Sequence, residues 1–457
     1  MKILFCVEFY YPSLGGAQEV VRHLAERFAR RGHSVTVATT RLASRGFDAH
    51  NGVRIVEFAV SGNQVRGIQG DAEAYREFLL AGDFDAVLFY AAQQWTFDAA
   101  WPIMASIRAH RVLVPCGYSG LFEPSYNAYF AALPAILREM SAVVYHAADY
   151  RDVRFGEANR IEHCALIPNG ADRDEFAVAP TPDFRRDLSI PASALLFLTV
   201  GTMTGLKGHL ELAQAFYQAD FGGREAVLIL NGNTPEFSGE KSDHSGLLLH
   251  LVKEYGIFYA AKHGLKMLLH ALGFRVGKVT SIQDWMQHIN RDSASKKRVI
   301  VTDLPRDRLV QAYLNADLFV FASNIEYSPL VLFEACAAGL PFLSVPVGNA
   351  AEIAEWTGGG LICPAPEDER HYTRVDPDVL ARRIEALAKD PELRAALGAK
   401  GRDACRRRFN WDTIASEYEA LFERLMAHIP LSDAEKLPRA SATVAPESRT
   451  AGVATIG

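Results

Sequence analysis

The stretch Glu326-Tyr327-Ser328-Pro329-Leu330-Val331-Leu332-Phe333-Glu334 sets two carboxylates around the start of a helix, directly after an apolar strand over residues 318–322. Ser328 suits the N-cap, where a hydroxyl accepts a free backbone N–H. Pro329 suits the first helical position, where a missing N–H costs nothing. Free amides and the positive dipole end make such a helix start a natural seat for a phosphate. A carboxylate there would repel the phosphate itself. The two acids are better explained as acceptors for hydroxyl groups, on a sugar and on a ribose. The same spacing also suits an ordinary solvated helix start, so other loops must share the chemistry before this one carries it.

Four further loops qualify. Pro12-Ser13-Leu14-Gly15-Gly16 joins a strand to a helix, and its adjacent glycines let backbone approach a ligand and permit positive φ. Ala17, Gln18 and Glu19 follow, so it is neither a dinucleotide fingerprint nor a Walker loop. Gly201-Thr202-Met203-Thr204-Gly205-Leu206-Lys207-Gly208 also leads from strand to helix, and Lys207 can place a point charge on a diphosphate. Ile167-Pro168-Asn169-Gly170 reads as a chain reversal that steers between domains. Val347-Gly348-Asn349-Ala350-Ala351-Glu352 can contact a sugar through backbone amides, while Glu352 equally suits a helix cap.

The elements that must position these loops alternate regularly. Strands are predicted over residues 2–7, 34–39, 53–58, 86–90, 112–115, 142–145 and 165–168, with helices over 17–31, 72–80 and 99–110; Gly32 can close the first helix in the left-handed region. A polar stretch over 173–189, with Pro180 and Pro182, reads as a linker. A second series follows: strands 195–200, 226–230, 299–301, 318–322 and 341–345, and helices 208–219, 307–316 and 329–338. The order implies right-handed βαβ units and parallel sheets covered on both faces. The fold class is therefore α/β, with two Rossmann-like domains facing a central cleft and ligands held at the carboxyl ends of the strands. The expected domains are residues 1–172 with a returning helix over 411–428, and residues 190–410 with a helical insertion at about 233–298. A tail over 430–457 lacks periodicity and is rich in Ser, Thr, Ala and Pro, so it is expected to be disordered.

Bulk numbers remove several classes. A chain of 457 residues exceeds a single core. Its 49% hydrophobic and 22% charged residues fit an ordinary globular protein, and a net charge of -6 opposes a nucleic-acid binder held by a broad basic face. The six cysteines are scattered without zinc spacing, which fits a reducing, cytoplasmic setting. Glu8 interrupts the apolar start too early for a signal peptide, and no apolar run would span a bilayer.

In this order the loops resemble the retaining GT-B glycosyltransferases of family 4, with an N-terminal Gly-Gly loop, an Asn-Gly turn, a Lys-Gly loop and an E-x7-E element; the resemblance spans about residues 1–428. It implies a transferase moving sugar from a nucleotide-sugar donor to a glycan or lipid-linked acceptor, in envelope or extracellular polysaccharide synthesis. Catalytic roles fall to Glu326 and Lys207. Donor contacts fall to Gly15, Gly16, Thr202, Lys207, Glu326, Leu330, Val331 and Glu334, with Glu326 on sugar hydroxyls and Glu334 on the ribose. No cofactor and no metal are expected, since lysine and a helix start can stabilise the leaving diphosphate.

Two departures stand out. Thr202 occupies a position where the family usually carries Arg. Cys116-Gly117 occupies the place of a His-Gly pair beside the reacting sugar, which makes Cys116 and Gly117 the acceptor-side candidates. These changes keep open an alternative: a non-catalytic GT-B subunit that binds nucleotide or glycan and scaffolds a partner. A dehydrogenase reading lacks its fingerprint. The insertion holds apolar residues from Leu247 to Leu272 interspersed with Lys253, Lys262 and Lys266, as either an added helical pair or a basic amphipathic surface for peripheral membrane association. Residues 293–298 read as a solvated basic loop.

Overall fold

The computed structural model describes residues 1–232 and 281–431. The apolar, basic part of the expected insertion and almost all of the expected tail lie outside the described residues. Contacts divide the chain into two units, one comprising Met1–Ile167 with the chain from Tyr418 onward, the other Pro168–Glu417.

The first unit is built on β1 (Lys2–Cys6), β2 (Ser34–Thr40), β3 (Ala49–His50), β4 (Val53–Phe58), β5 (Val60–Asn63), β6 (Gly67–Gly70), β7 (Ala86–Tyr90), β8 (His110–Val114), β9 (Ala142–Tyr145) and β10 (Cys164–Leu166). Eight of these form one sheet in the order β10-β9-β8-β7-β1-β2-β4-β3, and β5 pairs with β6. All neighbours in the large sheet are parallel except β3 and β4. β1 is central, so Ile3, Leu4, Phe5 and Cys6 are all fully buried, as a two-sided strand requires. The helix Gly16–Arg30 turns Val20, Val21, Leu24 and Phe28 inward. Gly32, at φ 87, then lets the His33 amide reach back to the Phe28 carbonyl at 3.1 Å, closing the helix as expected. Gly15 and Gly16 differ from expectation. Neither uses positive φ: Gly15 is extended at φ 168, and Gly16 begins the helix with open space where a Cβ would stand.

The second unit has β11 (Leu195–Val200), β12 (Ala226–Asn231), β13 (Lys297–Thr302), β14 (Leu318–Phe321), β15 (Phe342–Ser344) and β16 (Gly360–Ile362), parallel throughout in the order β13-β12-β11-β14-β15-β16. Its core is a single cluster running from Phe176 and Phe184 through the strands to Phe409.

Several expectations require correction. The stretch 99–110 is not one helix: a short helix Trp95–Asp98 and a 3-10 segment Trp101–Ser106 replace it, and His110 already starts β8. The polar stretch 173–189 is no free linker. Phe176 and Phe184 are buried in the second unit, and Phe176 packs edge-on against Tyr313 at 5.6 Å. Burying a phenylalanine contributes roughly 1.5–3 kcal/mol. The exposed Arg308–Asp187 pair at 2.8 Å contributes far less, so the aromatic anchors decide the docking. Residues 293–298 are not a solvated loop either. They comprise a 3-10 turn and the start of β13, where the Lys297 ammonium caps the carbonyls of Tyr217 and Ala219 at 2.5 and 2.6 Å. The returning helix spans Trp411–Met426, and the division between the units falls within it.

Candidate functional site

In the second unit the sheet order reverses between β11 and β14, and a doubly wound sheet opens its ligand crevice beyond the strand ends at such a point. The loops following these two strands are the ones that hold Lys207 and Glu326. Gly208 makes their meeting possible. It sits at φ 66, and a Cβ there would lie 1.8 Å from the Ala322 carbonyl oxygen. The Asn324 amide also donates to the Leu206 carbonyl at 2.9 Å. With the loops pinned together, the Lys207 ammonium forms an ion pair with Glu326, whose Oε1 also accepts from the Ser323 hydroxyl at 3.2 Å. The two side chains remain 24% and 19% exposed, so the pair is reachable by a ligand.

The helix after Glu326 starts one residue later than expected. It spans Leu330–Ala338, with Pro329 at the N-cap in an extended conformation. Ser328 therefore does not cap it, and its buried hydroxyl has no hydrogen-bond partner among the described residues. The amides of Leu330 and Val331 stand at the opening turn, where α-helices leave N–H groups unpaired. Asn169 is more than a steering turn. It is 3% exposed, its side-chain amide donates to the Ser328 carbonyl at 3.2 Å, and its Oδ1 is likewise unpartnered among the described residues. Gly348 lets the loop after β15 press on the same backbone: a Cβ there would meet the Tyr327 carbonyl at 2.2 Å, and the Asn349 amide donates to that carbonyl at 2.8 Å. Buried polar atoms left unsatisfied beside an ion pair and a helix start are what a polar ligand would complete.

Glu334 lies on the same helix but meets other partners, Arg306 at 2.7 Å and the Tyr313 hydroxyl at 2.9 Å. Neither residue is marked by the sequence alone. Thr202 is half-buried, and its carbonyl accepts from the Thr204 amide at 2.8 Å.

The first unit has its own reversal, between β1 and β7. Beyond β1 come Glu8 and the Gly15-Gly16 loop; beyond β7 come Ala91, Gln93 and Gln94. The Glu8 amide donates to Gln94 Oε1 at 3.4 Å. Ala91, Gln93, Cys116 and Tyr118 all hold positive φ (73, 63, 58 and 49) without being glycine, and all follow β7 or β8. Such conformations cost roughly 1–3 kcal/mol each and gather where function demands a fixed backbone. Asp98 is 1% exposed and accepts from the Tyr129 hydroxyl at 2.8 Å and the Gln64 amide at 2.9 Å. The Gly117 amide is held by Asp152 at 3.0 Å, and burial pushes the Cys116 thiol well above its ordinary range. Cys116 is therefore a neutral thiol at neutral pH, a weak donor where an imidazole would be a strong one.

Sequence reasoning passed over Glu8 and Asp98. An acid at the very end of an apolar strand was the available signal for Glu8. Burial raises the Glu8 carboxyl to about 7; Asp98 pushes the same way and Arg66 opposes it. Burial likewise raises Asp98 to about 6 against its hydrogen bonds. The sign follows from linkage: the folded state keeps protons that the unfolded state has released, so stability falls as pH rises from the unfolded carboxyl range toward 7. Urea midpoints measured from pH 5 to 7.5 should decline in wild type, and Glu8→Gln should flatten part of that slope. An unchanged slope would show that Glu8 is solvated.

A family model described as Glycosyltransferase Family 4 matches residues 14–175, and one described as Glycosyl transferases group 1 matches residues 292–404. The chain is a GT-B glycosyltransferase of family 4. Among curated relatives of this glycosyltransferase, D-inositol 3-phosphate glycosyltransferase of Corynebacterium urealyticum is 23% identical over 453 residues, covering 94% of the chain and 95% of that protein. N-acetyl-alpha-D-glucosaminyl L-malate synthase of Bacillus anthracis is 26% identical over 200 residues, which is 38% of the chain and 49% of that protein, so this match spans about half the relative's length. Among solved structures, sucrose-phosphate synthase from Thermosynechococcus elongatus aligns with a TM-score of 0.67 at 19% identity, over 93% of the chain and 99% of its own. Anabaena HepE in complex with UDP-glucose aligns with a TM-score of 0.62 at 16% identity, over 93% and 99%. These likenesses establish the fold. Among the described residues of the glycosyltransferase, no helix is long and apolar enough to cross a membrane.

Proposed function

We propose that this glycosyltransferase transfers a hexose from a nucleoside-diphosphate sugar to a hydroxyl of a glycan or lipid-linked acceptor, with retention at the anomeric carbon, in envelope or extracellular polysaccharide synthesis. The observation that carries the donor half is the Lys207–Glu326 pair at the β11/β14 reversal, beside the amides of Leu330 and Val331. Breaking the sugar–phosphate bond builds negative charge on the diphosphate. Lys207 and the helix start supply fixed positive charge there, the role a divalent metal plays in other designs, so this reading requires no metal. Glu326 takes sugar hydroxyls, Glu334 takes the ribose, and Thr202 lines the donor's path. The complex of HepE with UDP-glucose supports a nucleotide-sugar donor.

The acceptor half of the reading rests on the first unit, where Glu8, Asp98 and Gln93 join Cys116 and Gly117 beyond β1, β7 and β8. A carboxyl that holds its proton close to neutrality, as Glu8 does, suits the reception of an acceptor hydroxyl, and the buried Asp98 helps to raise it. The absence of an arginine at Thr202 and of a histidine at Cys116 supports a second reading, a subunit that binds donor or glycan without turning over.

A thermal-shift screen of UDP-, GDP- and ADP-sugars tests both readings. One nucleotide class should raise the melting temperature in a concentration-dependent way, by mass action on the folded state. Product analysis with that donor should show transfer with retained configuration. Stabilisation without turnover would favour the scaffold reading, and no stabilisation by any donor would remove the transferase reading together with the donor-binding form of the scaffold.

A further inference from the structure

Glu334 is not a free carboxylate waiting for a ligand. Arg306, the first residue of the helix Arg306–Asn315, reaches it with Nη2 at 2.7 Å. The same guanidinium is held in two places by Glu175, with Nε to Oε1 at 2.7 Å and Nη2, the nitrogen that also meets Glu334, to Oε2 at 2.6 Å. Tyr313, on the same helix and 1% exposed, donates its hydroxyl to the other Glu334 oxygen at 2.9 Å. Phe176, the neighbour of Glu175, packs on the Tyr313 ring and under the Arg306 guanidinium, 5.7 Å from it. Arg306 and Tyr313, from one helix, thus meet a carboxylate that is only 14% exposed, and a second stretch, Glu175–Phe176, holds Arg306 in place.

We propose that Arg306, anchored by Glu175, is a positioning residue for ribose recognition. Together with Tyr313 it fixes the Glu334 carboxylate in one orientation. This inference rests on the reading in which Glu334 takes the ribose. A carboxylate offers about four lone-pair sites. Arg306 and Tyr313 use one on each oxygen, which leaves one on each oxygen for a vicinal pair of hydroxyls. A guanidinium whose Nη2 bridges two carboxylates while its Nε locks onto one of them is a rigid support, whereas a lysine could hold only one point. The device also ties the stretch that opens the second unit to the nucleotide grip, because Glu175 belongs to that stretch. A purely structural Arg306 would stabilise the fold without influencing which nucleotide sugar ring is preferred.

The test is a ratio of affinities. Calorimetry is run with UDP, GDP and ADP, and then with the 2′,3′-dideoxy counterpart of whichever binds. Hydrogen bonds to a charged group contribute enough that wild type should prefer the ribose form by at least about tenfold. Arg306→Gln should cut that preference at least about threefold while leaving affinity for the dideoxy form within about twofold, since only the hydroxyl contacts lose their support. Glu175→Gln should cut it less, in the same direction. If Arg306→Gln does not fold, Arg306→Lys, which keeps the charge but cannot span both carboxylates, is judged by the same ratio. An undiminished preference in the folded variant overturns the positioning role. Glu334→Gln separates the two failures: if it abolishes the preference while the Arg306 variant does not, the ribose assignment stands and the positioning role falls. If Glu334→Gln also keeps the preference, or if wild type has none, both fall.

Discussion

Lys207→Ala should lower kcat by about 10²–10³, the loss typical of removing one fixed donor from a developing oxyanion. The effect is expected in turnover more than in donor KM, because the diphosphate gains charge as the glycosidic bond breaks. Its partner adds to the damage. In the wild type, the ammonium neutralises Glu326 across the two loops. Without it, Glu326 keeps the Ser323 hydroxyl at 3.2 Å but loses the cation that faced it, beside the proposed diphosphate site. Repulsion between like charges then weakens ground-state binding as well. Lys207→Arg keeps the charge on a different geometry and should recover part of the loss. Single-turnover rates with the donor chosen by thermal shift would decide, and wild-type turnover in Lys207→Ala would remove the proposed leaving-group site.

The ease of reading Lys207 and the difficulty of reading Arg306 have physical causes. Lys207, Glu326 and Glu334 sit in loops and helix starts directly after apolar strands, and parallel α/β sheets place function there. Strand period and the order of elements therefore mark them. The strands 86–90, 142–145 and 195–200 show the same clarity, because strands buried on both faces are continuous apolar runs bounded by polar turns. Arg306 stands in the charged first turn of its helix beside Asp307 and Arg308, and nothing in that run distinguishes the one guanidinium that turns toward Glu334. Its partner Glu175 lies more than a hundred residues upstream, in a stretch whose prolines disguise two aromatic anchors. Ser328 shows the opposite failure. Local propensity favoured it as a cap, but the Asn169 amide and the Asn349 loop hold the surrounding backbone one residue out of that register. Tertiary contacts overrode the local preference. The segment 99–110 failed for a related reason: its apolar spacing fits a helix, yet Pro102 and the early start of β8 leave room only for a 3-10 turn.

Gly208→Ala should be the most damaging single-methyl change in the second unit. The position needs a left-handed backbone at φ 66, which costs an alanine roughly 1–2 kcal/mol. The added Cβ would also stand 1.8 Å from the Ala322 carbonyl oxygen and 2.4 Å from its carbon. Those are backbone atoms at the end of β14, so no side chain can swing aside, and relieving such overpacking typically costs about 1–3 kcal/mol more. The cheapest relief is for the loop to lift away, and Lys207 would move with it. A displacement of about 1 Å at a positioned group can cost a hundredfold in rate. Gly205 provides the control within the same loop. It also has positive φ, at 80, but open space surrounds its Cβ position. Gly205→Ala should therefore show the backbone cost alone, a modest drop in urea midpoint with a far smaller loss of turnover. Gly208→Ala should show a larger drop in midpoint and a fall in kcat approaching that of Lys207→Ala, with the ion pair to Glu326 broken. If the two alanine variants behave alike in both measurements, close passage of the loop against Ala322 is not what delivers the lysine to its place.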